Sequence, residues 1–152
     1  MVVSNSTPLV YLAALGDFEL LRELFDEIVI PSAVFTEVVV GGANLPAAAA
    51  VGCVLDQWIH VRSPVDVVMV KALRETLDAG ESEALVLTKQ LHPSATLMDD
   101  SDGVRRAVAL GLNVIRTPGI YRLAKERGYI PLPQSLPHFE LQDSGSAKST
   151  TA

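Results

Sequence analysis

Short runs of β-branched residues alternate along this chain with longer stretches of helical period, and that alternation restricts the fold more than any other feature. Strands that alternate with helices form a mainly parallel sheet, because each crossover brings the chain back to the same edge. Met1 to Ser4 reads as the first strand, Glu27 to Ile30 as the second, Trp58 to Val61 as a short edge strand, Ala95 to Met98 as the next main strand and Asn113 to Ile115 as the last. Thr7-Pro8 and Thr117-Pro118 each set a hydroxyl cap before a proline at the first helical position, so a helix is expected from both. Asp17 caps a helix in which Leu20, Leu21, Leu24 and Phe25 form one apolar stripe. Pro31-Ser32 opens a helix to about Val40, closed by Gly41-Gly42. Further helices are expected from Pro46 to about Gln57, Val65 to Leu77, Glu81 to Leu91 and Asp102 to Leu110.

A chain of 152 residues, 49% of them apolar, holds one domain with an ample core. The domain is expected over residues 1–140, and residues 141–152, polar and without apolar period, read as a disordered tail. Cys53 is the one cysteine, so no internal disulfide forms. The N-terminus lacks a basic leader, and no uncharged apolar run reaches the roughly 18 residues that span a bilayer. A cytoplasmic protein without a membrane partner is the expectation.

The net charge of -6 argues against a general nucleic-acid coat protein, since phosphate binding is driven by Lys and Arg. The charge is uneven, however. Arg105, Arg106, Arg116, Arg122, Lys125 and Arg127 fall in a segment whose one acid is Glu126. That basic stretch follows directly on Asp99, Asp100 and Asp102, three carboxylates just past a short strand. Carboxylates this close repel one another, and a hard cation such as Mg2+ or Mn2+ relieves the repulsion. A cation beside a basic patch suits a polyanion; a solvated helix face is the plainer reading of the same basic stretch.

Ligands of open parallel sheets bind beyond the carboxyl ends of the strands. Asn5, Asp99, Asp100 and Thr117 end strands there, Glu37 lies on the helix after the second strand, and Glu81 and Glu83 open the helix before Ala95. Each has a structural alternative. Glu81 and Glu83 could complement a helix dipole, Glu37 could be an exposed helical acid, and Asn5 could be a turn residue. One of Asp99, Asp100 and Asp102 is expected to cap the next helix. His60, His92 and His138 lack zinc-ligand spacing with Cys53. No phosphate loop, nucleophile elbow or dinucleotide fingerprint is present. A phosphatase using Asp99 or Asp100 as nucleophile would be expected to keep an Asp where Asn5 stands.

Five blocks in order, Val2 to Leu9, Ile30 to Val38, Gly80 to Leu85, Leu97 to Asp100 and Arg105 to Leu112, resemble a PIN domain over about residues 1 to 132. The narrower resemblance is to the prokaryotic PIN-like proteins that include the VapC toxins. It implies a three-layer α/β/α fold with a central, mainly parallel sheet of four to five strands. It also implies a Mg2+- or Mn2+-dependent endoribonuclease, the toxin of a toxin–antitoxin pair. Carried onto this sequence, the catalytic set is Asn5, Glu37, Glu83 and Asp100, with Glu81 beside Glu83 and Asp99 as the alternative register of Asp100. The metal ligands would be Asp100, Glu83, Asn5, Asp99 and Glu37. Arg105, Arg106 and Arg116 would hold the RNA backbone. The implied partners are RNA, a small antitoxin-like protein and a second copy of the chain.

One position departs from that pattern. PIN nucleases usually carry Asp where this chain has Asn5, whose amide oxygen can ligate a hard cation but brings no negative charge. A weak or inactive PIN-like module acting through binding is therefore the alternative expectation.

Overall fold

The computed structural model describes residues 1–130. The expected tail, 141–152, and the last part of the expected domain, 131–140, lie outside the described residues.

Five strands, β1 (Val2–Ser4), β2 (Ile28–Pro31), β3 (Ile59–Arg62), β4 (Thr96–Leu97) and β5 (Val114–Ile115), form one sheet in the order β3-β2-β1-β4-β5. Every pairing is parallel, so the carboxyl ends of all five strands share one edge. Three of the strands are buried along their full length, as a sheet covered on both faces requires.

The crossovers supply the two outer layers. Helices α1 (Ser6–Ala14) and α2 (Glu19–Phe25) join β1 to β2, while α3 (Ser32–Phe35) and α4 (Pro46–Val54) join β2 to β3. Helices α5 (Val67–Leu73) and α6 (Ala79–Leu91) lead into β4, α7 (Ser101–Ala109) leads into β5, and α8 (Thr117–Glu126) follows. Alternate residues of a strand face opposite layers. Val2, Ile28 and Ile30 accordingly pack with Leu9, Leu21, Val51 and Ile120, whereas Val3 and Val29 pack with Leu85, Met98 and Ala107.

The sequence expectations differ from the structure mainly at helix ends. The helix expected over Val65 to Leu77 is confined to Val67–Leu73, because the Asp66 carboxylate accepts from the Met69 amide and starts it late. The helix expected from Pro31-Ser32 to Val40 changes character partway. After Phe35 it widens into a π-helical turn, Thr36–Val40, closed by a hydrogen bond of 2.8 Å from the Gly41 amide to the Thr36 carbonyl. Such turns insert one residue into a helix and re-aim the side chains around it. Glu37 lies in this one.

Candidate active site

The sheet order reverses direction between β1 and β4: from β1 the chain steps outward to β2 and β3 on one side, and later to β4 and β5 on the other. A crevice opens at such a switch point. Asn5 follows β1 there, and Asp99 and Asp100 follow β4.

Asn5 precedes α1 and is 5% exposed, yet its side chain makes no capping hydrogen bond and has no partner among the described residues. Its Oδ1 and the Oε1 of Glu37 converge on Gly80. A Cβ built on Gly80 would lie 3.0 Å from the first oxygen and 3.5 Å from the second. Gly80 thus lets α6 approach these oxygens closely, where a methyl group would push the Asn5 oxygen aside by a few tenths of an ångström. Ser6 Oγ donates to Glu37 Oε1 at 2.9 Å and fixes that otherwise exposed carboxylate.

Glu81 is 5% exposed and closes a capping box on α6: the Glu81 amide donates to Asp78 Oδ1 at 2.8 Å, and the Asp78 amide donates to Glu81 Oε1 at 3.2 Å. Burial pushes the Glu81 carboxyl up to about 7; the nearby charges of Asp78 and Asp100 and a hydrogen bond with Asp100 add to that rise, against the pull of the Asp78 amide. A Cβ built on Gly103, in the first turn of α7, would lie 3.6 Å from Glu81 Cδ, so Glu81 reaches the helix start that Asp100 caps at the crevice. Asp100 caps α7 by accepting from the amides of Asp102 at 2.9 Å and Gly103 at 3.4 Å.

Two of the expected acids face elsewhere. Glu83 Oε1 accepts from Ser32 Oγ at 3.1 Å and from the Ala33 amide at 3.0 Å, so it caps the start of α3. It thereby anchors the helix whose continuation carries Glu37. Asp99 takes both of its hydrogen bonds from Thr117, 2.8 Å from the amide and 2.6 Å from the hydroxyl, and caps α8. Burial raises its carboxyl, while Thr117 and the neighbouring Arg116 guanidinium lower it.

Among the arginines, Arg105 is paired with Asp102 on the surface of α7. Arg106 donates to the Thr76 hydroxyl at 3.2 Å and has no carboxylate partner among the described residues. Arg116 has a buried Nε without a hydrogen-bond partner among them. Thr76 and Asp78 were not expected as site neighbours. For Asp78 a signal existed, since Asp78-x-x-Glu81 has capping-box spacing with Asp in the cap role.

Among the described residues no three His, Cys, Asp or Glu side chains are grouped so as to hold a metal ion by themselves. The donor chemistry nonetheless fits a hard divalent cation. Asn5, Glu37, Glu81 and Asp100 offer oxygen alone, the preferred donor of Mg2+ and Mn2+. Burial is the main cause of the raised Glu81 carboxyl, with the charges of Asp78 and Asp100 adding to it, and a cation bound there would favour the ionised form.

A family model described as a PIN domain matches residues 1–145. A solved PilT N-terminus domain protein from the hyperthermophilic archaeon Sulfolobus solfataricus P2 has the same fold, with a TM-score of 0.54 at 20% identity, over 83% of this chain and 92% of that one. No curated protein matches the sequence.

Proposed function

This chain belongs to the PIN domain family, a nuclease-type fold, and we propose that it is a divalent-cation-dependent endoribonuclease. The observation that carries the reading is the approach of Glu81 to the start of α7, which Asp100 caps, beside the Asn5 and Glu37 oxygens that flank Gly80, at the switch point of a parallel sheet.

In this reading Asp100, Glu81 and Glu37 would hold the ion, with the Asn5 carbonyl oxygen as a neutral donor. A bound Mg2+ or Mn2+ would supply positive charge against the scissile phosphate. The chain's own groups do the rest. Ser6 keeps Glu37 turned toward the crevice, and Glu83 holds α3 in place beneath it. The Asn5 amide nitrogen, which an Asp would not provide, can donate to a phosphate oxygen. Arg106 and Arg116 contact the RNA backbone, which positions a strand without reading its bases, whereas Arg105 of the expected set is paired with Asp102. Asp99 fixes the start of α8 and with it Arg116. The test is Mg2+- or Mn2+-dependent cleavage of RNA by the purified chain, compared with Asp100→Asn; equal rates in the two would end the assignment.

A second reading is a weakly active or inactive module that binds RNA or protein, favoured by the neutral Asn5 where a carboxylate is usual. Asn5→Asp separates the two. If it creates cation-dependent cleavage in a chain that otherwise has none, binding is the better description of the native protein.

Two partners belong to the same proposal. A second copy of the chain fits the exposed Val10 and Tyr11 of α1 and Leu15 just after it, which are 38%, 46% and 43% accessible. A small antitoxin-like protein that inserts a basic side chain among the acids would make this chain the toxin of a pair. Among the described residues no helix is long and apolar enough to cross a membrane.

A further inference from the structure

A cleft of about 530 Å3 opens beside α7, lined by Thr76, Leu77, Asp102, Arg105, Arg106 and Ala109. It begins two residues past Asp100, and Arg106 lies six residues past Asp100, about 9 Å along a helix axis. That displacement is of the order of a nucleotide step or two along a single strand.

We propose that this cleft is a nucleotide subsite: it takes one unpaired nucleotide of an RNA next to the scissile bond, its phosphate on Arg106 and its base against Leu77 and Ala109, read by the Thr76 hydroxyl. The subsite rests on the ribonuclease reading, which places the scissile bond at Asp100.

Three features support it. The volume is in the range of small-ligand sites. Charge is distributed asymmetrically: Arg105 is neutralised by Asp102, whereas Arg106 is oriented by a neutral hydroxyl and keeps its charge for an anion. Thr76 Oγ1 accepts from Arg106, so its own proton remains to be donated, and it has no acceptor among the described residues. A hydroxyl so placed favours a base that presents a carbonyl oxygen or ring nitrogen over one that presents an amino group. Loops and single strands are the RNA forms whose bases are free to enter such a cleft. Sequence preference would then come from the turn between α5 and α6, separate from the acids that do the chemistry.

The experiment measures binding of short labelled single-stranded RNAs to the full chain by fluorescence anisotropy, in EDTA so that no cleavage intervenes. Arg106→Ala is expected to weaken every sequence about tenfold and to reduce the slope of log affinity against log salt by about 0.7, with Arg106→Lys restoring the slope. The native chain is expected to prefer one base at one position by about tenfold, and Thr76→Val to abolish that preference with the salt slope unchanged. Native-like binding by Arg106→Ala, a preference that survives in Thr76→Val, or no preferred base at any position would each overturn the subsite. Because the readout needs no metal, a native chain that passes these tests but fails to cleave with Mn2+ removes the nuclease reading alone. Cation-dependent cleavage with Arg106→Ala binding as the native chain does removes the subsite alone.

Discussion

A carboxyl buried among other acids gives up its proton late, and Glu81 is such a group. Folding holds its proton from the ordinary 4.5 up to about 7. Glu81 therefore favours the folded state below pH 4.5, and that contribution is lost as the pH rises through 7. Glu81→Gln keeps the acceptor of the capping box and removes the charge. At pH 8 it is expected to be more stable than the native chain by up to about 3 kcal/mol, a difference that vanishes near pH 4, as thermal melts at the two pH values would show. Addition of Mn2+ at pH 8 should raise the native melting temperature and leave Glu81→Gln much less affected, because a ligand that binds the folded state alone stabilises it. Asn5 is the complementary residue. Asn5→Asp adds a charge to a nine-tenths-buried position beside Glu37 and Gly80. It is expected to lower stability in EDTA and to tighten Mn2+ binding at least tenfold, measured by calorimetric titration.

Helix ends, more than helix bodies, place the site. α6 carries Gly80, Glu81 and Glu83 in its first turns, and successive residues of a helix turn by about 100°. Glu81 and Glu83 are thus about 200° apart and cannot share a partner: one reaches the start of α7, the other caps α3. The sequence makes both acids visible but gives no orientation for α6 about its axis, which is decided by packing of Ala84, Leu85 and Leu87 under the sheet. Asp99 and Asp100 pose the same question. Adjacent residues point apart, and the two divide their caps between α8 and α7. The π-helical turn that carries Glu37 has no composition signal at all. Two substitutions test this element-level account. Gly80→Ala puts a methyl within 3.0 Å of Asn5 Oδ1, so it should cut cation-dependent activity at least tenfold and cost about 1–3 kcal/mol in stability. Asp99→Ala removes both partners of Thr117, and a loss of about 1–3 kcal/mol in denaturant melts is expected, with Mn2+ affinity little changed.

At the scale of the molecule, a parallel sheet with its polar residues at the carboxyl edge followed from the alternation of strand and helix patterns. Five parallel strands and two helical layers agree with that expectation, as does the PIN-domain family match. The distribution of charge is the second global feature. A chain of net charge -6 repels RNA except along the stretch from Arg105 to Arg127. Much of that stretch serves the fold: Arg127 donates to the Leu24 carbonyl at 3.2 Å, and Arg105 is paired with Asp102. With Arg106 and Arg116 left for phosphate, affinity for single-stranded RNA should fall with salt at a slope of about -1.4 on logarithmic axes. A much steeper slope would mean that basic residues outside this set carry the binding.

The most direct measurement is cleavage of end-labelled single-stranded RNA by the native chain and by Asp100→Asn, each in Mn2+ and in EDTA. The native chain in Mn2+ should cut at least a hundredfold faster than the variant, with both silent in EDTA. Equal cutting by native chain and variant, or cutting that persists unchanged in EDTA, would contradict a cation-dependent site built on Asp100 and Glu81.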